Sequence, residues 1–125
     1  MSQLPMLDRL DHVIWLEQVR IEFESLDMDR IMDCFTDDVA VHYNDLPPIR
    51  GALALRLFLT ERYQHLQDYR LTKELRLTQG PLLTVSVEAF FRKQGRSYCS
   101  RILEILTIQD RQIARWDYVG VQREV

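Results

Sequence analysis

Residues 83–106 read LTVSVEAFFRKQGRSYCSRILEIL, and this stretch decides the fold. Apolar and polar side chains alternate on both sides of the Gln94-Gly95 dipeptide, which favours a hairpin with a two-residue turn. The register that follows pairs apolar residues on one face and opposite charges on the other. The predicted pairs are Phe91 with Tyr98, Val87 with Ile102, Leu83 with Leu106, and Glu88 with Arg101. Because both faces agree with this register, the sequence predicts two long antiparallel strands.

A third strand is predicted before the hairpin. Its inward side is apolar at nearly every second position, namely at Tyr69, Leu71, Leu75 and Leu77. Lys73 interrupts this row. We expect Lys73 either to extend its ammonium group to water or, if it is buried, to serve as the counter-ion of Glu104.

A fourth strand is predicted after a turn at residues 110–112. A two-residue loop would place Glu104 opposite Asp117, which brings like charges together. A three-residue loop is predicted instead, because it places Glu104 opposite Tyr118 and continues an apolar lining. The same register places Leu106 opposite Trp116 and Ile108 opposite Ala114.

The other face of these strands is also rich in apolar side chains, namely Leu103, Ile105, Ile113, Val119 and Val121. An apolar sheet face of this kind is usually covered by a partner. We therefore expect a homodimer that packs sheet against sheet.

The N-terminal half has the periodicity of helices. A first helix is predicted over 7–26, with a wide apolar arc, and a third over 51–66. Asp27 is expected to cap a second helix over 29–35, because its carboxylate can accept from the free N–H groups of the first turn. Residues 39–43 alternate like a strand. Helices followed by a long antiparallel sheet predict an α+β fold, with three N-terminal helices packed on one sheet face.

Length and composition exclude several classes of protein. The chain has 125 residues, which predicts a single domain over 1–125. A formal net charge of −3 without a long basic run argues against nucleic-acid binding. The sequence has no apolar run of membrane-spanning length and no secretory signal pattern, so we expect no membrane association and a cytoplasmic location. Cys34 and Cys99 lack metal-ligand or disulfide spacing and are expected to be buried free thiols.

Two stretches resemble the nuclear transport factor 2-like superfamily, particularly its SnoaL-like branch. They are residues 25–41, SLDMDRIMDCFTDDVAV, and residues 113–118, IARWDY, together with Gly51 at the start of a helix. The resemblance implies a cone in which a curved, mostly antiparallel sheet wraps around the helices, with a pocket between them and dimerisation through the sheet. It leaves the activity open, because this fold hosts isomerases, dehydratases, epoxide hydrolases, polyketide cyclases and non-catalytic binding modules.

Glu104 is the main catalytic candidate. In the predicted register it faces the same side as Val85, Ile102, Leu106 and Tyr118. Poor solvation favours the protonated form of a carboxylate, so we expect its pKa to rise toward neutrality, as a general acid or base requires. The resemblance implies the same role, because the isomerases and epoxide hydrolases of the family keep a pocket acid here. The alternative is a structural carboxylate held by Lys73, Tyr118 or a buried water.

Other positions depart from the family's enzymes. Tyr43 and Val19 stand where the resemblance to ketosteroid isomerases implies an Asp and a Tyr. Ile102 and Tyr118 stand where limonene-epoxide hydrolases have an Arg and a second Asp. Neither of these mechanisms is therefore expected in its family form.

What remains is one acid surrounded by aromatic and apolar side chains. The predicted binding residues are Trp15, Val19, Tyr43, Lys73, Tyr98, Ile102, Trp116 and Tyr118. We expect them to bind a small, largely apolar molecule, on which Glu104 performs acid/base chemistry such as isomerisation, cyclisation, dehydration or hydrolysis. A non-catalytic ligand-binding or protein-interaction module is the alternative. Phosphate-binding loops, a serine-hydrolase elbow and metal-ligand spacing are absent from the sequence, so no cofactor and no metal are expected.

Overall fold

The computed structural model describes residues 5–125. They form a curved six-stranded sheet and three helices. The helices are α1 (Pro5–Glu24), α2 (Met28–Met32) and α3 (Ala52–Tyr63). The strands are β1 (Phe35–Tyr43), β2 (Ile49–Arg50), β3 (Gln67–Gln79), β4 (Leu82–Lys93), β5 (Arg96–Gln109) and β6 (Gln112–Glu124). Their order in the sheet is β2-β1-β6-β5-β4-β3, and every pair is antiparallel except β1 with β6. The predicted α+β class is confirmed.

The β4–β5 hairpin has the predicted register. The observed pairs are Phe91 with Tyr98, Val87 with Ile102, Leu83 with Leu106, and Glu88 with Arg101. Gln94 and Gly95 both have positive φ, at 52° and 78°, as a type I′ turn requires. The inward side chains of β4 are buried from Leu83 to Phe91, and Lys93 at the end of the strand is half-buried.

The β5–β6 connection differs from the prediction, although most of the register agrees. Glu104 does pair with Tyr118, but the turn between the strands has two residues. A β-bulge then adds Ala114 to β6, so that Ile108 pairs with Ile113. The extra residue shifts the pairing of β6 with β5 by one position, which is the shift that the predicted three-residue loop would have produced. The bulge also turns Ile113 inward, where it is only 2% exposed, so its predicted place on the outer face is wrong.

A second bulge corrects the prediction for β3. Leu75 pairs with Val85 and Leu77 with Thr84, which leaves Arg76 as the extra residue. The bulge changes the parity of the strand, and Leu77 is consequently 68% exposed instead of lying on the inward side.

The second helix is shorter than predicted. Asp27 caps it as expected, and its carboxylate accepts from the backbone N–H groups of Asp29 at 3.0 Å and Arg30 at 3.4 Å. The helix ends at Met32, because the chain is needed for β1, whose Phe35 pairs with Ile113 of β6. Gly51, with a φ of 89°, immediately precedes α3.

The helices lie on the inner side of the sheet, with α1 against β3 and α3 against β1. One stripe of α1 is buried in the core, namely Trp15, Leu16, Val19 and Phe23. The other apolar stripe is exposed, namely Leu10, Val13, Ile14 and Ile21, so the wide apolar arc is covered only in part. Within residues 5–125, no helix combines the length and the apolar character needed to cross a bilayer.

Candidate functional site

A cavity of about 350 Å³ lies between the helices and the inner face of the sheet. Its wall combines apolar side chains with phenols and charges. The apolar part includes Phe23, Leu71, Val87, Ala89, Phe91 and Ile102. The phenols are Tyr43, Tyr63, Tyr69 and Tyr118, and the charged residues are Arg62, Lys73, Lys93 and Glu104. Small-molecule sites usually combine apolar walls with converging polar groups, and this cavity has both, with polar atoms forming the larger share of its accessible surface.

Glu104 is held by two donors in this wall. Its Oε1 accepts from Nζ of Lys73 at 2.9 Å, and its Oε2 accepts from Nε1 of Trp116 at 3.0 Å. The Glu104 side chain is 3% exposed and that of Lys73 is 5% exposed. Lys73 therefore does not extend to water; it is the counter-ion of Glu104. Its Nζ also lies 5.3 Å from the centroid of the Phe23 ring, within the range of a cation–π contact.

The ion pair places a proton acceptor and a hydrogen-bond donor side by side in the cavity wall. The arrangement supplies a charged carboxylate, which can accept a proton, beside an ammonium group, which can donate a hydrogen bond or a proton.

Tyr43 and Tyr118 form a stacked pair beside Glu104 on the same sheet face, because Tyr118 is the cross-strand partner of Glu104. Their ring centroids are 3.7 Å apart and the ring planes differ by 12°, with the guanidinium carbon of Arg62 4.7 Å from the Tyr43 centroid. Burial raises the pKa of both phenols above the ordinary range, and the positive charge of Arg62 opposes this. Both phenols are therefore protonated at neutral pH and can donate hydrogen bonds to an oxygen in the cavity.

Tyr63 and Tyr69 extend the phenol wall. Their ring centroids are 5.8 Å apart, and burial raises the pKa of both hydroxyls well above the usual value. Neither residue was in the predicted site. Tyr69 has the same strand parity as Lys73, which is a signal that could have found it. Tyr63 and Arg62 depend on how α3 docks, which no local pattern in the sequence reveals.

Five of the nine predicted site residues line the cavity, namely Tyr43, Lys73, Ile102, Glu104 and Tyr118. The other four lie elsewhere. Trp15 donates from Nε1 to the carbonyl of Arg111, 2.8 Å away in the β5–β6 turn, and Val19 is packed in the core. Tyr98 stacks on Phe91 beyond the cavity lining, with centroids 5.5 Å apart. Trp116 lies behind Glu104, so it orients the carboxylate without facing the cavity.

Within the described residues, no three acidic, cysteine or histidine side chains are close enough together to hold a metal ion. Cys34 is buried, and burial raises the pKa of its thiol to about 12. It is therefore a thiol at neutral pH and not a nucleophile.

Residues 16–116 match the family model of the SnoaL-like domain. The chain therefore belongs to the SnoaL-like family of the nuclear transport factor 2-like superfamily, as the sequence resemblance predicted. No curated protein sequence matches it significantly.

Solved structures share the fold at low sequence identity. SalBIII, an epoxide hydrolase/cyclase-like enzyme of pyran ring formation in salinomycin, is 13% identical with a TM-score of 0.78, over 91% of this chain and 93% of that one. An LEH-like epoxide hydrolase from M. tuberculosis is 14% identical with a TM-score of 0.67, over 86% and 80%. A candidate polyketide cyclase from Silicibacter is 17% identical with a TM-score of 0.75, over 86% of each chain. At these identities the comparisons establish the fold alone.

Proposed function

We propose that this chain binds a small, largely apolar molecule in the cavity and that Glu104 acts on it as a base, without a cofactor. The observation that carries the proposal is the buried carboxylate of Glu104 in the cavity wall, ion-paired to Lys73. The reaction would be an isomerisation, cyclisation, dehydration or hydrolysis. The similarity to an epoxide hydrolase and to an epoxide hydrolase/cyclase-like enzyme supports this class of chemistry.

In the proposed mechanism, Glu104 accepts a proton from a carbon atom of the ligand or from a water molecule. Lys73 and the phenols of Tyr43 and Tyr118 donate hydrogen bonds to the oxygen on which negative charge develops. Trp116 fixes the orientation of the carboxylate through its indole N–H. The proton then returns from Glu104 to the product, so the enzyme ends in its starting state.

Glu104→Gln tests the catalytic role, because the amide keeps the shape and removes the base. We expect turnover of a responsive compound, found in a panel of small epoxides and cyclic ketones, to fall by about 10²-fold or more. Glu88→Gln is the matched control, since Glu88 is exposed on the other face of β4. Unchanged turnover in Glu104→Gln would exclude this mechanism.

The second candidate function is a non-catalytic ligand-binding or protein-interaction module. The observation that favours it is that both carboxylate oxygens of Glu104 already have protein donors. In that case Glu104→Gln leaves ligand affinity almost unchanged and lowers the free energy of unfolding by about 1–3 kcal/mol. Measuring turnover and stability on the same variant separates the two functions.

We also propose that two copies of the chain pack through the outer apolar face, defined here as Leu103, Ile105, Val119 and Val121. All four side chains are exposed, and Leu103 lies directly opposite Val119 on neighbouring strands. Contiguous apolar surface of this kind is a feature of interaction sites.

The dimer is tested by Val119→Lys, which places a charge in the centre of the outer apolar face. We expect the native chain to sediment as a dimer at micromolar concentration and the variant as a monomer, because an unpaired charge is costly to bury. Leu53→Lys is the control, since Leu53 is equally exposed but lies on α3. A native chain that stays monomeric at every micromolar concentration would refute the dimer.

A further inference from the structure

The residues that line the cavity carry more positive than negative charges. It is lined by three cations, Arg62, Lys73 and Lys93, and by one carboxylate, Glu104. The whole chain, in contrast, carries a formal net charge of −3. Lys73 and Glu104 neutralise each other in their 2.9 Å ion pair. The remaining charge belongs to Arg62 and Lys93, and neither forms a salt bridge with any acid among the side chains that the structure describes. The cavity is therefore positive within a negative protein.

These two cations are the solvent-accessible charges of the cavity wall, and the part of the wall that they form is called the mouth here. Arg62 is exposed at the end of α3, and Lys93 is half-buried at the end of β4. Glu104 and Ile102, in contrast, are buried. The cavity thus has a buried interior, in which apolar side chains and phenols surround the Lys73–Glu104 pair, and a positive mouth.

Arg62 is held in place before any ligand arrives. Its guanidinium lies over the ring of Tyr43, and that ring is stacked on Tyr118. A stacked guanidinium presents N–H donors at its edge to a planar anion and loses little side-chain freedom on binding.

We infer that the ligand is a small apolar anion, with an aromatic or alicyclic body and one carboxylate, phenolate or enolate group. The anionic group lies at the mouth with Arg62 and Lys93, and the body extends inward toward Glu104. The reverse orientation is disfavoured because it would bring the anion toward the carboxylate of Glu104. This inference rests on the proposed small-molecule function and narrows its ligand class. The volume of about 350 Å³ favours a compact ligand, since it is near the lower end of the usual range.

Two competitors of nearly the same shape, one anionic and one neutral, test whether the cavity prefers an anion. The neutral fluorescent probe N-phenyl-1-naphthylamine reports occupancy of the cavity, and naphthoate and naphthamide, which have nearly the same shape, displace it. We expect naphthoate to bind about tenfold or more tightly than naphthamide at low salt. Raising the salt from about 0.05 to about 0.5 M should weaken naphthoate alone, because the mouth is solvent-accessible.

Variants of the two cations test whether the preference for naphthoate arises at the mouth of the cavity. Arg62→Met should reduce the naphthoate preference to about threefold or less, and Lys93→Met should reduce it in the same direction. Arg76→Met is the matched control, because it removes the same charge from an exposed position outside the cavity and should leave the preference intact.

The outcomes distinguish the two proposals. Equal binding of naphthoate and naphthamide, with the probe still bound and displaced, overturns the anionic ligand and leaves the apolar cavity function standing. A preference that Arg76→Met reduces as much as Arg62→Met also overturns it, because the effect would then be one of overall charge. A probe that does not bind at all overturns the small-molecule function, and the anionic ligand with it.

Discussion

Lys73→Met is expected to lower the free energy of unfolding by about 3–5 kcal/mol. The substitution keeps most of the side-chain volume but leaves the carboxylate of Glu104 buried without its counter-ion. Trp116 still donates to Oε2, and one neutral N–H does not replace an ammonium group. Urea unfolding followed by tryptophan fluorescence measures the change, because Trp116 lies beside the altered pair.

A second substitution separates the orphaned charge from a simple loss of packing. Adding Glu104→Gln to Lys73→Met removes the buried charge, so the double variant should be more stable than Lys73→Met alone. Lys93→Met is the matched control and should change stability by no more than about 0.5 kcal/mol, since Lys93 forms no salt bridge among the described side chains. A double variant that is less stable than Lys73→Met would contradict the electrostatic explanation.

The sequence predicts the central hairpin correctly because its information is local. A two-residue turn and an alternating pattern determine every pair between Leu83 and Leu106. The bulges in β3 and β6 could not be predicted in this way. A bulge adds one residue without a distinctive sequence, and it reverses the side of every residue beyond it. This is why Leu77 and Ile113 lie on the sides opposite to those predicted.

The site shows the same division between local and tertiary information. Strand parity places Lys73, Glu104 and Tyr118 on one inner face, and the register brings them to the same cavity. Arg62 comes from α3, and its place over Tyr43 depends on helix docking, which leaves no trace in the sequence pattern. Trp15 was expected at the pocket, but tertiary packing directs it to the β5–β6 turn. The single-domain organisation, the cytoplasmic location and the lack of a cofactor stay predictions.

Gly120 determines the position of the stacked phenols. A Cβ built at this position would lie 2.8 Å from Cγ1 of Ile102 and 3.2 Å from the ring and hydroxyl of Tyr118. Its φ is not positive, so the requirement for glycine is one of space, not of backbone conformation. The missing side chain leaves the room in which Tyr118 lies across the strand and stacks on Tyr43.

Gly120→Val is accordingly expected to lower the free energy of unfolding by about 3 kcal/mol, although valine is otherwise favoured in strands. The ring of Tyr118 must move, so the probe affinity of the cavity should fall as well. Gly120→Ala should have a smaller effect of the same sign.

Ile102→Ala removes the nearest colliding atom, so the cost of Gly120→Val should drop by at least about half in that background. Urea unfolding of the four members of this cycle measures the coupling. An equal cost of Gly120→Val with and without Ile102 would show that the collision is not with Ile102, and a fully stable Gly120→Val would mean that Tyr118 has room to lie elsewhere.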